Sequence, residues 1–461
     1  MNGLRLRMCV CVALVAGLLA GRSMAETAFW VWNRSAPLSS EERAGLAKAG
    51  VTRLYWHFGE IENKPGTWAW KRSPKVVEKS TAQLEIVPVI RLETAHAQPF
   101  SSAANEVLLQ ELKRAFVLAE AREWQLDYDA PDRLVGDYAS FLAQLRPQAP
   151  KLSSTALAGW IRLPAFGSLQ QAVAELCPMF YDLMPDTADA LRPLLDERIT
   201  TPLLAEWQTK CIIPWRVGLP WFSRLTVYGK DGHSLGHFRR WTWDDVIFRR
   251  ELSLAQPTRE GLTVLRVTKS FALGRSPLHE GEKLVARLPD VKAITQVEQS
   301  LHRDAVYFRL PDGSAADGGS LASFIERTSS KGPRLALKVE GDRLVLTNEG
   351  DADLLQRWVG DGPMDRGYAL EIDARGPCFR EAEPGHFWRV AAHVQPDEPL
   401  PRAVSVTSAT RLTFWFGALP AGASLRSGVF QTTLRGGTSG LRYRVLNIES
   451  SLPWKSLTVP H

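Results

Sequence analysis

Eight short apolar runs, separated by stretches with the polar and apolar mix of helices, constrain this chain more than any other feature. They are Phe29–Trp32, Val51–Phe58, Leu84–Leu92, Trp124–Asp129, Leu152–Leu157, Cys177–Tyr181, Arg216–Trp221 and Ala305–Leu310. Runs that stay apolar instead of alternating belong to strands buried on both faces, as in parallel sheets. Between them the spacing predicts helices over Ser39–Lys48, Ala104–Glu123, Asp132–Arg146, Ser168–Glu175 and Thr187–Leu194. Ser39-Ser40-Glu41-Glu42, and Asp132 after Pro131, supply the polar residues of helix starts. Eight strands alternating with helices is the count of an α/β fold, the (β/α)8 TIM-type barrel.

Two stretches fall outside that rhythm. Arg224 to His302 is too long for a connection inside a compact domain and contains strand-like pieces, Val264–Val267 and Leu284–Leu288, so it reads as an insertion before strand 8 on the mouth side. After a linker-like Ser329-Ser-Lys-Gly-Pro-Arg334, short alternating runs (Leu335–Val339, Arg343–Thr347, Tyr368–Ile372, Leu412–Phe416, Leu441–Val445) with Gly-Asp turns indicate a small C-terminal antiparallel β-sandwich. The expected organisation is a signal peptide over 1–25, the barrel over 26–330 and the sandwich over 334–461. The signal assignment rests on Arg5 and Arg7, the apolar run from Met8 to Ala20 and the small-x-small Ser23-Met24-Ala25. That run is shorter than the ~20 residues of a membrane span. A periplasmic or secreted protein with no membrane span after signal cleavage is therefore expected.

Of the net charge of +6, Arg5, Arg7 and Arg22 account for three, which leaves +3 for the rest and argues against nucleic acid as the partner. Beyond the signal only Cys177, Cys211 and Cys378 remain, so at most one disulfide can form, and Cys177 with Cys211 is the pairing expected. Sixteen Trp, twelve of them before residue 250, are core residues first and flat faces for sugar rings second.

In such a barrel the carboxyl ends of the strands converge on one pocket. There the chain places Trp30 and Trp32; Trp56, Glu60 and Glu62; Arg91 and Glu93; Asp127 and Asp129; Trp160; Tyr181 and Asp182; Trp221 and Arg224; Arg309 and Asp312. The fourth run ends in two carboxylates two residues apart, which an extended strand points to the same side before Pro131 stops it. Like charges in one pocket push one pKa up, which suits a proton donor and gains nothing for folding. One protonated acid for a leaving oxygen, a second negative group for an oxocarbenium-like transition state, and rings to hold the sugar are what glycoside chemistry needs. Each feature has a plainer alternative: Asp127 paired with Arg91 inside the barrel, Glu60 and Glu62 as solvated loop charges, Asp182 as the cap of a following helix. His57, His96 and His233 have no ligand spacing, so no metal and no cofactor is expected.

Leu126-Asp-Tyr-Asp-Ala-Pro131 resembles the fourth-strand signature of the chitinase-like glycoside hydrolases of family 18, Asp-x-x-Asp-x-Asp-x-Glu. Met179-Phe-Tyr-Asp182 and Val217-Gly-Leu-Pro-Trp-Phe-Ser-Arg224 resemble that family's sixth- and seventh-strand motifs, and Ala305-Val-Tyr-Phe-Arg-Leu-Pro311 its eighth strand more loosely. Phe29-Trp-Val-Trp-Asn-Arg34, Tyr55-Trp-His-Phe-Gly-Glu-Ile-Glu62, Val87-Pro-Val-Ile-Arg-Leu-Glu93 and Leu152 to Trp160 are similar to an exported bacterial family, domain of unknown function 3142. The chitinase-like resemblance implies acid-assisted glycosidic bond cleavage, with the substrate's own N-acetyl group as nucleophile. Asp129 would be the general acid, Asp127 its electrostatic partner, and Tyr181 and Asp182 would orient the substrate. Trp32, Trp56, Glu60, Arg91, Glu93, Trp160, Trp221, Arg224 and Arg309 would bind it. The chain departs from the pattern at three places. Asp129 stands where the family has Glu, Arg122 and Gln125 replace the two upstream acids, and Arg309 takes the place of the pocket-floor Trp. An acid one methylene shorter can misplace its proton enough to cost ~10²-fold. The expected function is thus action on a polysaccharide or glycan. The alternatives are a catalytically inactive carbohydrate-binding barrel and a cell-envelope structural module.

Overall fold

The computed structural model describes residues 26–457 apart from 33, 65–66, 95–98, 150, 185–190, 239–240, 260, 302–303, 314–316, 328–331, 363–364, 395–401, 435–439 and 448–452. The expected signal segment, His96 and half of the expected linker lie outside the described residues. Eight parallel strands close one barrel: β1 (Thr27–Val31), β2 (Val51–Lys64), β3 (Glu85–Thr94), β4 (Trp124–Asp127), β5 (Leu152–Leu157), β6 (Glu175–Met179), β7 (Val217–Pro220) and β8 (Ala305–Phe308). β1 pairs with both β8 and β2, so the sheet has no free edge around the barrel. An antiparallel strand, Thr67–Arg72, folds back along the end of β2.

Strand alternation sorts the apolar side chains into two layers. Ala28, Trp30, Tyr55, Val87, Val89, Cys177 and Val306 fill the interior, whereas Phe29, Val31, Leu54 and Trp56 pack outward against the helices. Each fully buried large side chain contributes about 1.5–3 kcal/mol, so the far more populous outer layer provides most of the barrel's stability. Gly218 permits a close approach inside the barrel: a Cβ there would meet Pro178 O at 2.9 Å and Trp30 Cη2 at 3.1 Å. The amino-terminal floor is ionic, with Arg216 on Glu175 and Glu26 at 2.8 Å each, and Arg53 on Glu123 at 2.8 Å.

The outer helices start where polar caps occur. Ser39 and Glu42 form a capping box ahead of Ser40–Lys48. Two expectations fail. Residues 191–194 of the expected helix Thr187–Leu194 are not helical, and the β6–β7 crossover is Glu197–Lys210, capped by Asp196; Pro193 interrupts the earlier stretch, and the side-chain cap lies three residues beyond it. The three described cysteines are free: Cys177 faces the barrel interior and accepts from Gln125 Nε2 at 3.3 Å, whereas Cys211 ends an outer helix and donates to Ile213 O. No helix among the described residues is long and apolar enough to cross a membrane.

The insertion between β7 and β8 is a five-stranded antiparallel sheet of Ser234–His237, Arg224–Tyr228, Lys283–Arg287, Leu262–Val267 and Leu252–Leu254, in that order. One face, with Leu225, Leu265, Leu284 and Ala286, packs with Phe248 against Trp358, Ala369 and Trp415 of the C-terminal part. That part is a β-sandwich. A three-stranded sheet (Leu335–Glu340, Arg343–Asn348, Ser424–Arg426) and a six-stranded one built around Tyr368–Ala374 and Arg411–Phe416 enclose Leu337, Leu346, Leu370 and Phe414. Gly341, at φ +63°, makes the turn expected of Glu340-Gly-Asp.

Candidate active site

Register places the first pair of functional side chains. β3 and β4 align Arg91 directly beside Asp127, and β4 ends there because the following Tyr128-Asp129-Ala130-Pro131 leaves the ladder. Asp127 is buried, at 6% exposure. Thr155 of β5 donates to its Oδ1 at 2.9 Å and Arg91 Nη1 to its Oδ2 at 3.2 Å. Asp129, with 45% of its side chain exposed, accepts from Arg91 Nη2 at 3.4 Å. One guanidinium therefore joins both carboxylates. Burial first, and then the negative charge of Asp129, push the Asp127 carboxyl up to about 7, against the partial relief supplied by Arg91 and Thr155. Near pH 7 about half of the Asp127 carboxyls therefore carry a proton.

Around them lies a cavity of about 350 Å³, lined also by Trp30, Trp32, Met179, Tyr181, Asp182, Phe222, Arg224 and Phe308. This volume is within the ~300–1,000 Å³ range of small-molecule sites. Tyr181 is held between rings, with Phe308 stacked at 6.1 Å and Phe222 edge-on at 5.6 Å. Burial, then Asp127 and Asp129, raise its hydroxyl well above the ordinary value, so it remains a proton donor for hydrogen bonding. Trp32 is half-buried, against Phe308 at 5.9 Å and His57 at 4.4 Å. Burial, aided by Arg72 and Arg91, lowers His57 to about 4 and keeps it neutral. Asp182, at φ +52°, takes both ends of the Arg224 guanidinium, one contact at 2.6 Å; its side chain caps no helix among the described residues.

The structure thus brings together Asp127, Asp129, Tyr181, Asp182, Trp32, Arg91 and Arg224. Six expected residues are elsewhere. Trp56 lies between inward-facing Tyr55 and His57 and packs outward, at 3% exposure. A register shift in β2 between His57 and Gly59 turns Glu60 into a buried partner of Lys71 (2.9 Å) and Arg72 (3.3 Å), neither a cleft residue nor a solvated one. A hydrogen bond with Glu60, together with Lys71 and Arg91, holds the Glu93 carboxyl down at about 2, so it stays an ion-paired anion beside the cleft. Trp160, fully buried in a 3-10 turn, packs on Tyr138 at 6.5 Å, and Trp221 packs edge-on against Phe324 at 5.0 Å. Arg309 turns away to Asp312 and Asp317 at 3.0 and 3.1 Å. In the last two cases the chain neighbour faces the cleft instead: Phe222 follows Trp221 and Phe308 precedes Arg309, which makes Phe308 the ring at the place where a Trp was missing. Thr155, also missed, had only its polarity within an apolar run to mark it.

No family model and no curated protein matches the chain. Among solved structures it is similar to the C-terminal domain of a putative chitinase from Desulfitobacterium hafniense (13% identity, TM-score 0.45, 66% of this chain and 98% of that one). It is also similar to a chitinase from Chromobacterium violaceum (13%, 0.42, 67% and 100%) and to a spore cortex-lytic enzyme from Bacillus megaterium (11%, 0.41, 62% and 70%). At such identities and TM-scores the likeness carries no argument, and the barrel rests on its own closed strand order.

Proposed function

We propose that the protein acts on a glycan by acid-assisted cleavage of a glycosidic bond at the mouth of the barrel. The observation that supports this best is a buried carboxyl raised to about 7 beside a second, exposed one, in a cleft walled by Trp32, Tyr181, Phe222 and Phe308. Asp129, the exposed member, reaches the substrate and gives a proton to the leaving oxygen as the glycosidic C–O bond breaks. Asp127 in its anionic form, anchored by Thr155 and Arg91, faces the positive charge that develops on the sugar; water then adds at the anomeric carbon and returns a proton to Asp129. Tyr181 donates to a substituent of the ring, and Trp32 offers an apolar face to it. Export to the periplasm or beyond, and kinship with family 3142, belong to the same proposal and rest on residues 1–25 and on the stretches quoted above.

The test is hydrolysis of a panel of neutral and charged glycans by wild type, Asp129→Asn and Asp127→Asn. Loss of an acid is expected to cost about 10²–10⁴-fold. Equal rates in wild type and Asp129→Asn, or no cleavage of any glycan, would remove the proposal. One observation favours a second reading, binding without cleavage: Arg91 contacts both carboxylates and offers each a neutralising partner. That reading requires glycan affinity that survives Asp129→Asn in the absence of any turnover.

A further inference from the structure

Past Arg224 the cleft continues. Asp182 and Arg224 line both the candidate active site and a neighbouring cavity of about 290 Å³. That cavity shares Arg192, Pro193 and Asp196 with a third, of about 510 Å³. Through these shared residues the three cavities adjoin in a row from the barrel mouth along the insertion sheet, a segmented trough.

The sheet's register decides what this trough meets. Tyr228 pairs with Lys283, and Lys283 with Arg266, so these three stand in one row across neighbouring strands, with Arg224 four residues before Tyr228 on the same face. The opposite face is occupied by the apolar cluster shared with the C-terminal sandwich. Arg192, Arg198, Arg259, Arg266 and Lys283 line the third cavity against a single carboxylate, Asp196. Asp196 is already engaged, accepting from Arg192 at 2.8 Å and from the Arg198 backbone N–H at 3.1 Å as a helix cap. Among the described residues Arg198, Arg259, Arg266 and Lys283 have no ion-pair partner. Elsewhere at the mouth the cations are neutralised: Arg91 by Asp127 and Asp129, Lys71 by Glu60 and Glu93, Arg309 by Asp312 and Asp317. Unpaired like charges around one cavity repel one another and gain nothing for folding, whereas an anionic ligand relieves all of them together.

We propose that the trough is an extended subsite that selects a polyanionic glycan, a chain whose sugars carry carboxylate or sulfate groups, with the reacting end at Asp127 and Asp129. This rests on the glycan reading above. No aromatic side chain lines the third cavity, so unpaired bases find no stacking platform and a nucleic acid is disfavoured.

The test is calorimetric binding of the full chain to polygalacturonate, dextran sulfate, neutral dextran and a single-stranded oligonucleotide. One or both glycan polyanions are expected to bind at least about tenfold more tightly than neutral dextran, with affinity that falls as salt rises past ~0.1 M, where the Debye length is ~10 Å. The polygalacturonate and dextran sulfate arms separate carboxylate from sulfate recognition. Arg266→Gln/Lys283→Gln is expected to weaken binding about tenfold, and so is Arg198→Gln/Arg259→Gln on the other wall, which guards against misfolding of either pair. Equal binding of neutral dextran, unchanged polyanion binding in both double variants, or tighter binding of the oligonucleotide would overturn the proposal. Polyanion binding lost in the double variants, with no glycan cleaved by wild type, would keep the trough and remove the hydrolysis. Cleavage of a neutral glycan, with polyanion binding unchanged in the variants, would do the reverse.

Discussion

Replacing Asp127 by Asn separates a functional carboxyl from a structural ion pair. In the native state the Asp127 carboxyl is raised from 3.8 to about 7. A carboxyl with a raised folded-state pKa binds its proton more tightly when folded, so its contribution to stability is full at low pH and is lost as pH rises through about 7. Between pH 5 and pH 8 the loss is close to two pK units at ~1.36 kcal/mol each, about 3 kcal/mol. Asn retains an acceptor for Thr155 or Arg91 but cannot ionise, so this slope is absent from Asp127→Asn. Relative to wild type the variant should therefore gain about 3 kcal/mol between pH 5 and pH 8, while hydrolysis collapses. Urea denaturation followed by tryptophan fluorescence at the two pH values measures the difference, and pH effects common to both proteins cancel. A variant destabilised by the same amount at both pH values would refute the reasoning. It would show Asp127 ionised throughout and serving as the partner of Arg91.

Two further outcomes follow from burial. Trp32→Ala should weaken glycan binding with little change in melting temperature, whereas Trp221→Ala, truncating a side chain 1% exposed, should cost about 3–5 kcal/mol of stability in a denaturation curve. Arg216→Met removes the nearer guanidinium from buried Glu175 at the barrel floor and should cost about 3 kcal/mol at neutral pH by the same measurement, because Glu175 keeps only the more distant Arg53, at 3.9 Å, to offset its charge.

The eight strands were legible because each is a short apolar run whose local pattern survives any tertiary arrangement; seven fall within two residues of their expected bounds, and β2 runs on past Phe58 to Lys64. The Asp127–Asp129 pair was legible for the same reason, since it ends such a run. The tryptophans were not. Trp56 and Trp221 sit at the right ends of the right strands, but facing alternates residue by residue, and the neighbours His57 and Phe222 took the inward positions. Glu60 was unreadable because the β2 irregularity that turns it toward Lys71 and Arg72 has no marker in composition. The helix at Glu197–Lys210 was hidden by an attractive earlier stretch that Pro193 interrupts. The cations of the trough that lack an ion-pair partner come from three separate pieces of chain, Arg198, Arg259–Arg266 and Lys283, so no local pattern could assemble them.

By itself, then, the sequence determined the strand count, the closed parallel architecture and the strand that ends in two carboxylates, since these depend on hydrophobic pattern and turn chemistry that act over a few residues. Only the tertiary structure decided which member of the pair is buried, that one arginine serves both, and which rings wall the cleft. A one-residue change of register sends a side chain from the cleft to the core, and the shift of a carboxyl's pKa depends on neighbours brought from other strands through space.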